Sequence, residues 1–279
     1  MFNLNKKELE SVVASFQIPV KPEILTKIQM LMSEAEPNIE KIAALISSDV
    51  GLSASTLKII NCPFYGMERR ISEIKLAVMV LGLKTIDGLI TSLCLKESFK
   101  GEASISLERF WDDSVDVANA MAFIGKKIEK KIPNGMLYTI GLFRDCGIPL
   151  LALKHKDYKN ILIEANSQGK NSFDLEEKNY QTNHTVLGYY VASSWNLPKN
   201  ICTLILQHHD KKFLSVRTGS LDQLAFSVLK AAENMIEIVK RTNLSPDWSE
   251  VDEDVLKVLG ISSADYAGLV NDFTEIYNQ

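Results

Sequence analysis

What limits this chain most is a helical hydrophobic period that runs from end to end, with no sustained two-residue alternation anywhere. Ile24, Leu25, Ile28 and Leu31 form one such stripe. Ile39, Ile42, Ala43 and Ile46 form the next, and Phe110, Trp111, Val115, Ala118 and Ala122 mark a later, longer one. Each stripe makes one apolar face, and such faces bury only against one another, so the pattern predicts an all-α, multi-helix bundle. The breaks agree with it. Asn38 is placed to cap a helix, Ser48-Asp49 opens the following one, and Asn61-Cys62-Pro63 ends it, because the residue before a proline is pushed out of the helical region. Ser72 reads as the cap of a short helix through Leu81, with Gly82 as its left-handed stop. Further on, the pattern predicts helices over Leu107–Lys127, Met136–Phe143, Tyr158–Ala165 and Leu221–Arg241, and Asp174 with Glu177 has the form of a capping box. The shift at Lys100-Gly101-Glu102-Ala103-Ser104 divides the chain into a lobe over 1–103 and a lobe over 104–279.

Composition narrows the function classes. A chain of 279 residues, 46% hydrophobic and 24% charged, buries a large core without disulfides. Cys62, Cys94, Cys146 and Cys202 are far apart and are expected as reduced thiols. A net charge of −4 argues against nucleic-acid binding, which needs a concentrated basic face. No run approaches the ~18 uninterrupted apolar residues of a membrane span, and Asn3, Asn5, Lys6 and Lys7 leave no apolar signal core, so a cytoplasmic location is expected. Walker-type, dinucleotide-binding and nucleophile-elbow motifs are missing from the sequence.

A helical bundle hosts a metal centre when His and Asp/Glu side chains from several helices point inward. Of the four histidines, His184, His208 and His209 lie at helix starts or ends, and Asp145 follows an apolar helix. The residues alone suggest an inner set of Asp145, His184, one of His208 and His209, and Glu233; an exposed histidine pair capping a helix is the competing account. Separately, Lys58, Arg69, Arg70, Lys75 and Lys84 gather positive charge around the Asn61–Arg70 turn, either as a solvated face or as a docking surface for an acidic partner. Trp111 and Trp195 are expected in the core.

Several motifs occur in order. Ile46-Ser47-Ser48-Asp49-Val50-Gly51-Leu52-Ser53-Ala54, Asn61-Cys62-Pro63-Phe64-Tyr65-Gly66, and Ile71-Ser72-Glu73-Ile74 through Leu81-Gly82 together resemble the first lobe of the HD-related output domain (HDOD) family. Phe110-Trp111 and the later histidines continue the resemblance into an HD-like second lobe. The resemblance implies a bacterial regulatory protein in signal transduction, without catalytic activity, with no room here for a separate receiver domain. Enzymes of the wider HD phosphohydrolase superfamily use a helix-borne His, a His-Asp doublet, further histidines and a late Asp. Here Asp113 stands at the first position, and the doublet reads Gly141-Leu142-Phe143-Arg144-Asp145-Cys146-Gly147, with Arg144 in place of the histidine. His184 and one of His208 and His209 match the later histidines, and Glu233 lies near the late Asp. A guanidinium has no lone pair for a metal and stays charged. The expectation is therefore a metal-free, cofactor-free pocket in which Arg144 pairs with Asp145, Asp113 or Glu233. Output would come through a protein partner, with a nucleotide or anion on Arg144 as a further ligand, and neither nucleic acid nor membrane as a partner. The alternative is a divergent metal-dependent phosphohydrolase acting on a nucleotide or cyclic dinucleotide, favoured if Asp145, His184, His208, His209 and Glu233 converge.

Overall fold

The structure is a computed structural model that describes residues 13–278 apart from Gly66, Glu68 and Arg217. Gly66 of the turn motif and the N-terminal residues read above lie outside it. Among the described residues every regular element is helical. The part read as a first lobe holds α1 (Glu23–Met32), α2 (Ile39–Ser47), α3 (Val50–Ile60), a 3₁₀ turn (Pro63–Tyr65), α4 (Ile74–Leu81) and α5 (Leu83–Ser98). The caps at Asn38 and Asp49 form as expected, accepting from the Lys41 and Leu52 amides at 3.0 and 2.8 Å. The cap at Ser72 does not form: α4 begins one residue later, with Glu73 at its N-cap and no side-chain cap bond. The approach to α4 is fixed from the side instead. Asn61 donates from Nδ2 to the Ile71 carbonyl and accepts at Oδ1 from the Ile71 amide, both at 2.7 Å, so one amide side chain pairs like a strand neighbour. Gly82 turns the chain from α4 into α5 with φ +77°, a region that favours glycine.

The second lobe runs through α6 (Leu107–Lys127), α7 (Asn134–Phe143), α8 (Ile148–Lys154), α9 (Tyr158–Ser167), α10 (Phe173–Tyr180), α11 (His184–Ser194) and α12 (Lys199–Gln207). After these come a single turn α13 (Phe213–Val216), then α14 (Leu221–Arg241), α15 (Trp248–Leu259) and α16 (Ser263–Tyr277). Helix α8 has no counterpart in the sequence reading, since its seven residues are apolar nearly all round and carry a proline in the first turn. The capping box of Asp174 and Glu177 is absent. Ser172 is the N-cap of α10, with no side-chain cap bond, and its hydroxyl donates to Glu176 at 2.6 Å.

Helix α5 lies along α7, joining the lobes. A methyl group on Gly135 would come within 2.7 Å of the Lys84 carbonyl oxygen, so the α7 backbone approaches the start of α5 closely. Buried Trp195 donates from Nε1 to the Pro19 carbonyl at 2.8 Å, and Phe64 stacks on Phe273 of α16 at 4.8 Å. Trp111 is also buried, as expected, and the four cysteines are free. The stretch Gly135–Lys154 has the length and apolar composition of a membrane span, but 78% of that window is buried inside the fold, as the core helices of a bundle are.

A buried histidine and carboxylate cluster as candidate functional site

The cluster is assembled from four places in the chain. Arg144 and Asp145 follow α7, where the helix loosens into a turn. His184 is the first residue of α11, whose N-cap Asn183 accepts from the Val186 amide at 3.1 Å. His208 and His209 follow α12 directly. Lys230 and Glu233 sit three apart on α14, and Asp247 lies in the loop after it. Gly147 lets these parts meet: an added Cβ there would lie 2.1 Å from the His184 carbonyl oxygen.

Each imidazole is held by its Nδ1 atom and turns Nε2 inward. His184 Nδ1 is 2.7 Å from Glu176 Oε2, His208 Nδ1 is 2.8 Å from the Ile205 carbonyl, and His209 Nδ1 is 3.4 Å from Asp247 Oδ2. An acceptor at Nδ1 fixes the proton there and leaves Nε2 as the free nitrogen of the neutral ring. The inward atoms crowd together: His184 Nε2 is 3.1 Å from His209 Nε2, and Asp145 Oδ1 is 3.6 Å from His184 Nε2 and 3.3 Å from His208 Nε2. The last contact does not have hydrogen-bond geometry, so His208 Nε2 is buried without a hydrogen-bond partner. Two lone pairs facing one another at such a distance repel. A proton on one ring, or a metal ion between the two, would remove that repulsion.

The titration of the groups follows. Burial lowers the affinity of His184 for a proton, but the Glu176 carboxylate outweighs it and raises the pKa. Burial, then the neighbouring His208, depresses His209 well below the usual histidine value. A charged His184 donating from Nε2 to a neutral His209 accounts for the 3.1 Å contact in metal-free protein. Burial would push the Asp145 carboxyl up, but Arg144, then His208 and His184, hold it well below the usual range.

On the far side of Asp145 the site is occupied by fixed cations. Arg144 places Nη2 3.1 Å from Asp145 Oδ2, Nε 3.1 Å from Glu233 Oε1, and donates from Nη1 to the Gly141 carbonyl at 2.7 Å. Buried Lys230 meets Glu233 Oε2 at 3.0 Å and Asp247 Oδ2 at 3.2 Å. Burial lowers its pKa, but Glu233 and Asp247 raise it above the ordinary value. The guanidinium therefore lies not among the imidazoles but on the opposite carboxylate oxygen. Glu233 faces the guanidinium and the ammonium, not the histidines. Asp113 is not a partner of Arg144: it stands on the rim of a 330 Å³ cleft, half exposed, and pairs with Lys240 and with Arg241 at 3.8 Å.

The sequence reading missed Glu176, Lys230 and Asp247. The signal for Glu176 was its place eight residues before His184, across the turn that starts α11; it was masked by the capping-box pattern of its neighbours. Among the described residues, Asp145, His184, His208 and His209 each offer one donor atom within 4.8 Å of the others. This set of three imidazole nitrogens and one carboxylate oxygen fits a single divalent transition ion by ligand type and number.

The sequence profile of the HDOD domain matches residues 18–211, which is 194 of the 279 residues. The chain belongs to the HDOD domain family. Over 194 residues, 69% of this chain, it is 24% identical to an uncharacterized protein of Treponema pallidum, and the matched part spans 38% of that relative. Two crystal structures share the fold at low identity. A candidate signal transduction protein of Marinobacter aquaeolei superposes with a TM-score of 0.73 at 16% identity, covering 100% of this chain and 66% of that one. A candidate metal-dependent phosphohydrolase of Shewanella amazonensis gives 0.68 at 18% identity, covering 97% and 95%. The HDOD match ends before α13, so Lys230, Glu233 and Asp247 lie outside it.

Proposed function

We propose that this HDOD protein is a signal-transduction module that acts by binding a protein partner and does not catalyse hydrolysis. The observation that carries this reading is the Arg144 clamp: one guanidinium holds Asp145 and Glu233 together, so half of the cluster is closed by a permanent cation. The other half supplies four protein donors, which fill a tetrahedral ion but leave positions open on a six-coordinate one. His184 and His208 are buried, whereas Asp145 and His209 line the 330 Å³ cleft together with Arg144, Glu233 and Asp247. The Marinobacter relative named for signal transduction supports the same reading. An affinity capture followed by direct binding of the purified partner tests it; a search in which no protein binds specifically counts against it.

The second reading, a divergent phosphohydrolase, is favoured by the convergence of Asp145, His184, His208 and His209. These residues would hold the ion, which would supply a charge for polarising a phosphoryl oxygen; the chain's own part would be to anchor each ring through Nδ1. Elemental analysis gives the metal content, and a His184→Ala variant should lower it. Metal content alone does not decide between the readings, since a closed site also retains an ion.

A further inference from the structure

The five cations around the Asn61–Arg70 turn are used differently. Lys75 is taken up by Glu40 of α2 at 2.6 Å, Lys84 lies apart, at the start of α5 against α7, and Arg69 is exposed outside the groove that the other two share. Lys58 and Arg70 face one open groove of about 990 Å³, whose floor and walls include Leu57, Met67, Ile71 and Ser72. Among the described residues, which leave out Glu68, no carboxylate lines it and neither cation has an ion-pair partner. The 770 Å³ cleft beside His209 is different: its Lys170, Lys211 and Lys212 stand among Asp174, Glu177, Asp210 and Glu250. Lys126 adds positive charge nearby, with Nζ 3.4 Å from the Phe64 carbonyl and 5.7 Å from the centre of the Tyr65 ring. In a chain of net charge −4, this is a local reversal of sign.

One wall of the groove is also fixed before anything binds. Asn61 ties the end of α3 to both backbone groups of Ile71 at 2.7 Å, so little ordering is required on binding. We propose that the groove takes an acidic segment of a partner protein, its carboxylates on Lys58 and Arg70 and one large apolar side chain against Leu57, Met67 and Ile71. The proposal rests on the reading of the chain as a protein-binding module. A recessed apolar floor between two cations admits a side chain, whereas a flat bilayer does not enter it, and a phosphate backbone would need a longer row of cations.

Fluorescence anisotropy with a labelled peptide of about a dozen residues, alternating Glu with Leu and Phe, tests the assignment. The wild-type protein binds this peptide and not its Lys-for-Glu counterpart, and added salt weakens binding. The double variant K58E/R70E, at exposed positions that leave the melting temperature unchanged, weakens binding at least ~10-fold. Met67→Ala weakens it several-fold without changing charge. No peptide binding by the wild type, or equal binding by wild type and both variants, overturns the groove while leaving the signalling reading, whose failure would show as hydrolytic turnover. Loss of phosphatidylserine-vesicle or oligonucleotide binding by K58E/R70E with peptide binding intact overturns it in favour of a different ligand.

Discussion

Arg144 holds carboxylates from two separate parts of the chain, and its loss would leave Asp145 and Glu233 facing each other without it. Breaking a buried pair by removing one partner costs about 3–5 kcal/mol, and Arg144→Ala should lower the urea-unfolding free energy by at least the lower figure. The histidines predict a pH response in metal-free protein. Because the folded state depresses the pKa of His209, the unfolded chain binds more protons below the ordinary histidine value near 6.5, and stability falls as pH drops through that window. His184, with a raised pKa, acts oppositely: its contribution is complete below 6.5 and fades as pH rises through the raised folded value. Denaturation of His209→Gln should lose the steeper part of the acid-side decline, up to about 1.4 kcal/mol per pH unit; an unchanged slope would remove His209 from the account. Arg144, Asp145 and His184 were legible in the sequence because a local motif or a helix start carries each one. Asp247 and Lys230 were not, since only the folding back of α14 and its following loop brings them to His209 and Glu233.

Among the elements, the helix starts marked by Asn38 and Asp49 were readable because each cap is a local bond between a side chain and an amide three residues on. The starts at Ile74 and Phe173 were misread for the converse reason: Asn61 fixes the first from a distance, and Ser172 bonds Glu176 instead of the backbone. Close helix approach is just as hidden, since a glycine inside or beside a helix gives no sign of what it touches. Gly147→Ala would push α11 away from Asp145, because the new Cβ would meet the His184 carbonyl oxygen and the Gly188 nitrogen, both backbone atoms. Overpacking of this kind costs about 1–3 kcal/mol, and calorimetry should show that loss, together with any metal affinity falling. Gly268→Ala, in open space on α16, serves as the control that should not destabilise.

The whole molecule joins lobes whose helical character was plain from periodicity, while their mutual packing was not. Helix α16 illustrates this: its Phe273 is fully buried between Phe64 of the first lobe and Phe123 of the second, a link across more than a hundred residues. Phe273→Ala should cost about 3–5 kcal/mol and, by loosening the 3₁₀ turn beneath it, should raise hydrogen exchange at Phe64 and Tyr65; protection at those amides equal to wild type would contradict the link. The helices beyond the HDOD match thus brace the first lobe through Phe273 and supply the buried cation Lys230. The account's central claim is that this assembly recognises a partner and does not turn over phosphate esters. Its most direct measurement is the hydrolysis of nucleotides and cyclic dinucleotides by protein loaded with Mn, Fe or Ni, wild type beside His184→Ala. The account predicts that both release no more phosphate than metal in buffer; catalytic turnover by the wild type that disappears in His184→Ala would contradict it.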